Sequence, residues 1–356
     1  SFFIIFAMKK ITIINTNAIV TTTNGTINIG SNAEVNTIDF AAFNGIVGNV
    51  PTDKIDMASY VAGVKEAAEG IAIAAGGVAV GGGAESIVEN AEVNVFGTVN
   101  DDIIGGGVAA YGFNQKDADN GAKGAHVNTS TLNLYAGAEI KGNVYAGGSA
   151  SINDAANKGY TKAQATVGEA TINLAGAEVN GFLSGKGVHG DDTNYQENEK
   201  VETSTLNLIG ENTLTFVKDK EDTPKVKDFT NFNATAGSVT KVEGLNSTTA
   251  LIDATGTKVT VDGSAKLDIT ALAANGTVYK VISTDDKDKA DDTFWTDSSL
   301  LYDRTAGYAH GEGQAEGNYN VVYEEITAAN VDEATDSFVD AIGDNGEEIR
   351  NNIEGL

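Results

Sequence analysis

The sequence predicts an all-β fold: a right-handed parallel β-helix with long corner loops, a C-terminal β cap and a terminal amphipathic helix. Three observations carry that expectation. Short alternating segments recur along the chain. Glycine is abundant and proline nearly absent, at 42 and 2 residues. Aromatics are only 7% of a chain that is 41% hydrophobic, so the core must be aliphatic and thin.

The recurring segments decide the architecture. Residues 131–148 read TLNLYAGAEIKGNVYAGG, and residues 171–187 read TINLAGAEVNGFLSGKG. Residues 92–107 read EVNVFGTVNDDIIGGG, matching with a short gap after Phe96. Further copies begin at Thr205 (TLNLIGENTLTF) and, more faintly, at Thr26 (TINIGSNAEVN). Each unit holds three strand-like pieces. The first alternates, as in Leu132/Leu134, Ile172/Leu174 and Leu206/Leu208, with Asn or Thr between. A period of two turns one face inward and the other to solvent. The second piece is Ala-Glu-Ile or Ala-Glu-Val, and the third is Val144-Tyr145, Phe182-Leu183 or Ile103-Ile104. Three strands joined by glycine corners make a coil of roughly 18–25 residues, and stacked coils rise about 4.8 Å each.

The glycines have no period of three, which excludes collagen, and they suggest many positive-φ positions. The runs 81–83 and 105–107 read as corners; no Gly-Lys-Ser/Thr follows either, so they are not phosphate loops. The polar segments 111–128, 151–167 and 188–202 read as loops thrown out from one corner. Residues 56–70 suggest a short amphipathic helix with Asp56 as its N-cap, weakened by Gly63.

Both ends differ from the middle. Residues 1–7 are apolar apart from Ser1, and Met8-Lys9-Lys10 follows. Seven residues are too few to span a bilayer. Two readings stay open: the tail of a signal peptide ending at Ala7, or an apolar strand from Phe2 to Ile14 that pairs with something. From about Asp228 glycine runs thin out and longer strands appear, such as KVTVD (258–262), TVYKVIS (277–283) and YNVVY (319–323). These read as a cap that covers an otherwise open coil end. Residues 325–342 carry Ile326, Val331, Ala334, Phe338 and Ile342 near the helical period, with acidic residues opposite. The expected divisions are an apolar strand over 1–20, coils with loop insertions over 21–225, β coils and cap over 226–324, and a helical segment over 325–356.

The net charge is −27 and the arginines are Arg304 and Arg350. A nucleic-acid partner needs a cationic surface, so that class is excluded, and anionic membrane is disfavoured. There is no cysteine, which removes thiolate metal sites, thiol nucleophiles and disulfides. Rigidity must then come from a repetitive hydrogen-bonded ladder.

The TINL…GAEV-x-G…GG units, the segment VTVDGSAKLDITALAANGTVYKVIS and the closing YNVV strand resemble the passenger domains of autotransporter adhesins, over roughly residues 70–330. The resemblance implies a right-handed parallel β-helix whose last coils act as a folding cap, displayed outside the cell. With an apolar strand at the N-terminal end and no barrel pattern after the helical segment, the expectation is either a processed passenger or a similar β-helix put to another use, such as polymerising.

His126, His189 and His310 fall in polar, Gly-rich stretches and read as solvated loop residues, and Arg304 beside Asp303 reads as a surface ion pair. Glycoside hydrolysis needs two carboxylates about 5–9 Å apart; Asp101-Asp102 and Asp191-Asp192 are the pairs that stacking could bring together. Asp117-Ala-Asp119-Asn120-Gly121 imitates the opening of a Ca²⁺ loop, but the bidentate Glu is missing, since position 128 is Asn. No cofactor is expected beyond weak Ca²⁺ association with acidic loops such as 284–293. The expected role is a non-enzymatic extracellular structural or adhesive protein, a cell-surface adhesin or a filament subunit. The alternative is a polysaccharide lyase or hydrolase on the same fold. The expected partners are further copies of this chain and a host or cell-surface ligand, without membrane insertion by this segment. The self-assembly candidates are Phe2, Phe3, Ile4, Ile5, Phe6, Ile11 and Ile13 at one end, and Val331, Phe338 and Ile342 at the other.

Overall fold

The computed structural model describes residues 19–36, 66–80, 85–110, 124–151, 163–269, 271–272, 275–284, 302–303, 308–311 and 318–325. Within these the chain winds through seven coils, one for each strand of its seven-stranded sheet. The first coil holds β1 (Ile19–Ile29), β2 (Glu34–Val35), β3 (Ile71–Ala74) and β4 (Val78–Val80). The second holds β5 (Glu85–Val95), β6 (Thr98–Val99), β7 (Asp102–Ile104) and β8 (Val108–Ala110). The third holds β9 (Gly124–Tyr135), β10 (Glu139–Ile140), β11 (Val144–Tyr145) and β12 (Ser149–Ala150). The fourth holds β13 (Gln164–Ala175), β14 (Glu178–Val179) and β15 (Leu183–Ser184). The fifth holds β16 (Val201–Leu208), β17 (Glu211–Thr215) and β18 (Val226–Lys227). The sixth holds β19 (Asn231–Ala234), β20 (Val239–Glu243) and β21 (Ile252–Asp253). The seventh holds β22 (Lys258–Val261), β23 (Lys266–Asp268) and β24 (Asn275–Ser283). Three closing strands follow: β25 (Tyr302–Asp303), β26 (Tyr308–Gly311) and β27 (Asn318–Glu325).

Equivalent strands pair parallel from coil to coil and make five sheets. Sheet A runs β1-β5-β9-β13-β16-β19-β22, sheet B β2-β6-β10-β14, sheet D β4-β8-β12 and sheet E β17-β20-β23. Sheet C runs β3-β7-β11-β15-β18-β21-β24 in parallel, then ends in antiparallel β27, β26 and β25. The fold is therefore an all-β, parallel, solenoid-like stack, and the described helix is a single turn at 66–68. The terminal helix expected over 325–342 lies outside the described residues from 326 onward, as do the N-terminal segment through 18 and most of the helix expected over 56–70.

Register puts like on like. Val93, Leu132, Ile172, Leu206, Phe232 and Val259 form one inward column of sheet A. Ile103, Val144, Leu183, Val226, Ile252 and Ile282 form the facing column of sheet C. All are buried in one continuous core. Burying each such side chain stabilises by about 1.5–3 kcal/mol before entropy is counted.

The coils are larger than three short strands require. Equivalent asparagines lie 66 residues apart in the first step, then 39, 40, 34 and 26. The last coils approach the expected size. The second and third are longer because sheet D adds a fourth side and because their sheet A strands run to 11 and 12 residues. Residues 124–128 and 164–167, expected as loop, are the first halves of β9 and β13. Their inward parity differs from that of the second halves. Ala125 and Val127 are buried, Asn128 and Thr129 both face outward, and Ser130, Leu132 and Leu134 are buried again. The same step recurs at Gly168 and Glu169 of β13. It lets the first halves pack on sheet D, where Ala79, Ala109, Ala125, Ala150, Ala163 and Ala165 form a second, all-alanine core.

Glycines serve two different needs. Gly137 turns the corner between sheets A and B at φ 88, in open space, as the expectation of positive φ requires. Gly106 turns the corner between sheets C and D and is needed for close approach instead: a Cβ there would lie 2.5 Å from the Gly148 nitrogen of the next coil. Run 105–107 is thus a corner, as read from the sequence; run 81–83 lies outside the described residues.

Candidate functional site

The outward face of sheet A carries the most regular polar feature. Asn28, Asn94, Asn133, Asn173, Asn207 and Asn233 occupy one register position on six successive coils. From Asn94 onward each Nδ2 donates to the Oδ1 of the coil before it, at 3.0, 2.8, 2.7, 2.8 and 2.8 Å. The Asn of each T-x-N-L unit was visible in the sequence as the residue between two core positions; the stacking turns it into a ladder.

The densest cluster of titratable groups lies where the fourth coil departs from the third. After β15 the chain does not enter sheet D but makes successive turns over 188–200. The Val188 N–H donates to Gly148 O, which aims the segment back across the third coil. Glu199, with no exposed side-chain surface, accepts from the Ala150 N–H at 2.7 Å, the His189 N–H at 2.7 Å and His189 Nδ1 at 2.8 Å. Tyr195 stacks on the His189 ring at 4.4 Å and donates its hydroxyl to Glu66 Oε1 at 2.5 Å. Glu66 also accepts from Ser151 Oγ at 3.2 Å.

Burial alone would lower the His189 basicity, but the Glu199 hydrogen bond and the charges of Glu199, Glu66 and Asp192 overcome it and hold the imidazole above its ordinary value. Burial and then Glu66 push the Tyr195 phenol far up. The cluster joins a His to a carboxylate, as acid–base chemistry requires. Yet its hydrogen bonds close contacts within the fold, between residues as far apart as 85 and 129 in sequence. Its evident work is to clamp the first, third and fourth coils together.

The carboxylate pairs expected as hydrolytic candidates are held elsewhere. Asp102 accepts from the Asn143 N–H at 2.6 Å and Asn143 Nδ2 at 3.1 Å, while Asn143 Oδ1 accepts from the Phe182 N–H at 2.8 Å. Burial raises the Asp102 carboxyl, Asn143 opposes that, and Asp101 adds to it. Asp191 lies 2.5 Å from Lys227 Nζ and 3.8 Å from Lys186 Nζ, and Lys186 reaches Asp228 at 2.6 Å. Burial would raise Asp191, but the two lysines hold it below the usual carboxylate range. Tyr145 lies in the field of both groups; burial first, then Asp102, Asp191 and Glu199, push its phenol far up.

One buried amine was not singled out by sequence reasoning. Lys225 is 2% exposed and donates from Nζ to the carbonyls of Val179 and Gly181. It closes the corner that the Asn180 turn leaves open in the coil before.

His126 stands on β9, not in a loop, with Nδ1 2.8 Å from Thr166 Oγ1 and Nε2 3.9 Å from Glu85. His189 is half-buried rather than solvated, for the reason given above. His310 lies in β26. The self-assembly candidates Phe2, Phe3, Ile4, Ile5, Phe6, Ile11, Ile13, Val331, Phe338 and Ile342 lie outside the described residues, as do Arg304, the Asp117–Gly121 segment and 285–293. Among the described residues no three His, Asp or Glu side chains converge as a metal ion would require, and no helix is long and apolar enough to cross a membrane. Comparison with protein-family profiles, with curated proteins and with solved structures finds no match.

Proposed function

We propose that this chain is a non-enzymatic, extracellular structural or adhesive rod, wound as a right-handed parallel β-helix and displayed at a cell surface or assembled into filaments. The observation that carries the reading is the in-register stacking of sheet A. Seven parallel strands stack inward hydrophobes on one another, and six of them repeat the same outward asparagine. Such a stack grows in one dimension only, by about 4.8 Å per coil, so its product is length rather than an enclosed pocket. A right-handed winding is what parallel strands joined through crossovers adopt in about 98% of cases. The net charge of −27 keeps rods soluble and apart from one another. The resemblance to autotransporter passengers supports a position for such a rod outside the cell.

Among the described residues β1, β2, β3 and β4 are paired on one side only. Unpaired strand edges accept further strands. In the filament version of the reading, the apolar strand carrying Phe2, Phe3, Ile4, Ile5, Phe6, Ile11 and Ile13 adds to a neighbouring copy, with Val331, Phe338 and Ile342 offering an apolar stripe at the other end.

Negative-stain microscopy of the full chain, together with protease shaving of intact cells that express it, tests the reading. Rods or filaments, and cleavage without lysis, are expected. Compact particles, or a chain protected until the cells are broken, would overturn it. Deleting residues 1–14 distinguishes the versions: filaments that persist unchanged exclude strand donation.

A further inference from the structure

Phe96 follows β5 and Tyr135 ends β9, at the corner between sheets A and B. Their neighbours Val95 and Leu134 are register partners, so the two rings sit on adjacent coils. The rings are parallel within 3°, with centroids 4.3 Å apart. Phe96 is 40% exposed and Ile209 38%, and these are the exposed large hydrophobics among the described residues. The Ile209 N–H donates to Leu174 O as the Phe96 N–H donates to Ile29 O, so Ile209 holds the same position two coils beyond Tyr135. Ala175, the register partner of Tyr135, fills the coil between. On the other side of Phe96 the matching position is Gly30, where a Cβ would meet nothing within 4 Å. The column Gly30, Phe96, Tyr135, Ala175, Ile209 thus presents two stacked rings, Phe96 exposed and Tyr135 half-buried, flanked by the smallest side chains.

The asparagine ladder runs beside this column, two residues earlier in each strand. A primary amide has two N–H groups and two acceptor lone pairs. Asn94 and Asn133 direct a further N–H at Glu92 Oε1, at 3.1 and 3.4 Å. Asn173 and Asn207 each use one N–H and one lone pair in the ladder, leaving one of each for another molecule.

We infer that this edge of sheet A binds a neutral polysaccharide lying along the stack. A sugar ring offers an apolar C–H face to an aromatic or aliphatic column and a rim of hydroxyls to a line of amides. The distance from Phe96 to Ile209 is three coil steps, roughly 14 Å, enough for a short run of sugars. Charge selects among polysaccharides: Glu92 lies within the site and the chain carries −27, so anionic polymers are repelled. The inference rests on the adhesive reading above and names the ligand class of that surface.

Affinity electrophoresis of the full chain through native gels containing galactomannan, hydroxyethyl cellulose or dextran tests it, with heparin as the anionic comparison. Retardation by at least one neutral polymer and none by heparin is expected. F96A and Y135A should weaken that retardation at least tenfold with the thermal transition nearly unchanged, and F96W should retain it. No retardation by any neutral polymer, or retardation that F96A and Y135A both leave intact, overturns the site. Binding of a protein through the same exposed rings, with no neutral polymer competing, overturns it equally. Rods in micrographs without retardation would remove this inference and leave the surface-rod reading standing.

Discussion

The backbone N–H of Ala150 donates to Glu199 Oε1 across 2.7 Å, joining residues 49 apart in the chain. Ala150 belongs to β12 at the last described step of sheet D, and Glu199 ends the turns that replace sheet D in the fourth coil. The contact is where a four-sided coil gives way to a three-sided one. Removing the carboxylate would leave the Ala150 N–H, the His189 N–H and the His189 ring without their acceptor. An orphaned buried donor costs about 1–3 kcal/mol. Glu199→Ala should therefore destabilise the chain by about 3 kcal/mol, and amide exchange at Ala150 should accelerate more than at Leu134. If exchange at Ala150 is unchanged, the clamp is not what holds the segment.

His189 makes the same clamp sensitive to pH. Its folded-state basicity is raised, by the Glu199 hydrogen bond and by the charges of Glu199, Glu66 and Asp192 acting against burial. The unfolded imidazole titrates near the ordinary 6.5, so the unfolded chain loses its proton first. The contribution is then fully present below about pH 6.5 and is lost as pH rises through the higher folded value. Urea unfolding should show greater stability at pH 6 than at pH 8.5, and His189→Gln should flatten that difference. Equal slopes in the two proteins would show that His189 carries none of it.

The asparagine ladder gives a graded test at one position. Asn133 donates to Asn94 and accepts from Asn173, so Asn133→Ala removes two ladder hydrogen bonds at the middle of sheet A, besides the longer one to Glu92. Each is worth about 0.5–1.5 kcal/mol net, and a loss of about 1–2 kcal/mol is expected. Asn133→Asp still accepts from Asn173 but cannot donate, and it brings a second charge to Glu92, which Asn133 now approaches at 3.4 Å. It should cost more than the alanine. Asn133→Thr should cost least, since Thr260 already holds the register position next to Asn233. Denaturant midpoints of the three variants check the order, and an aspartate as stable as the parent would rule out the ladder.

The main core was legible from the sequence because its signal is periodic. Leu132/Leu134 and Ile172/Leu174 announce strand, face and repeat together, and the structure places them in the columns so implied. The second core was not legible, because Ala125 and Ala165 carry little hydrophobic signal and lie before the parity step at Asn128 and Gly168. Alternation read across that step cancels, which is why 124–128 and 164–167 looked like loop. The His189–Glu199 contact has no periodic signature either; it depends on how the turns over 188–200 fold back onto β12. The ladder lies between these cases: its asparagines were plain in the repeat, but their mutual hydrogen bonds follow only from exact coil-on-coil register.

Lys225 offers a test with the opposite pH sense. Its amine is buried against the carbonyls of Val179 and Gly181, and burial pushes it from 10.5 down to about 8, with the Glu178 charge opposing. In the window between those values the unfolded chain binds the proton that the folded chain has released. Stability therefore rises with pH across it. One pKa unit corresponds to about 1.36 kcal/mol, so the full rise is roughly 3 kcal/mol. Lys225→Met keeps the side-chain volume but has nothing to titrate. It also leaves two carbonyls without their donor, so its stability at pH 7 mixes a gain with a loss. The slope separates them: the difference in unfolding free energy, parent minus variant, should grow between pH 8 and pH 10 as measured by denaturant titration at each pH. Other lysines and tyrosines titrate in both proteins and cancel in the difference. Parallel curves would mean that the amine stays protonated in the folded chain and that the two carbonyls stabilise its charge in full.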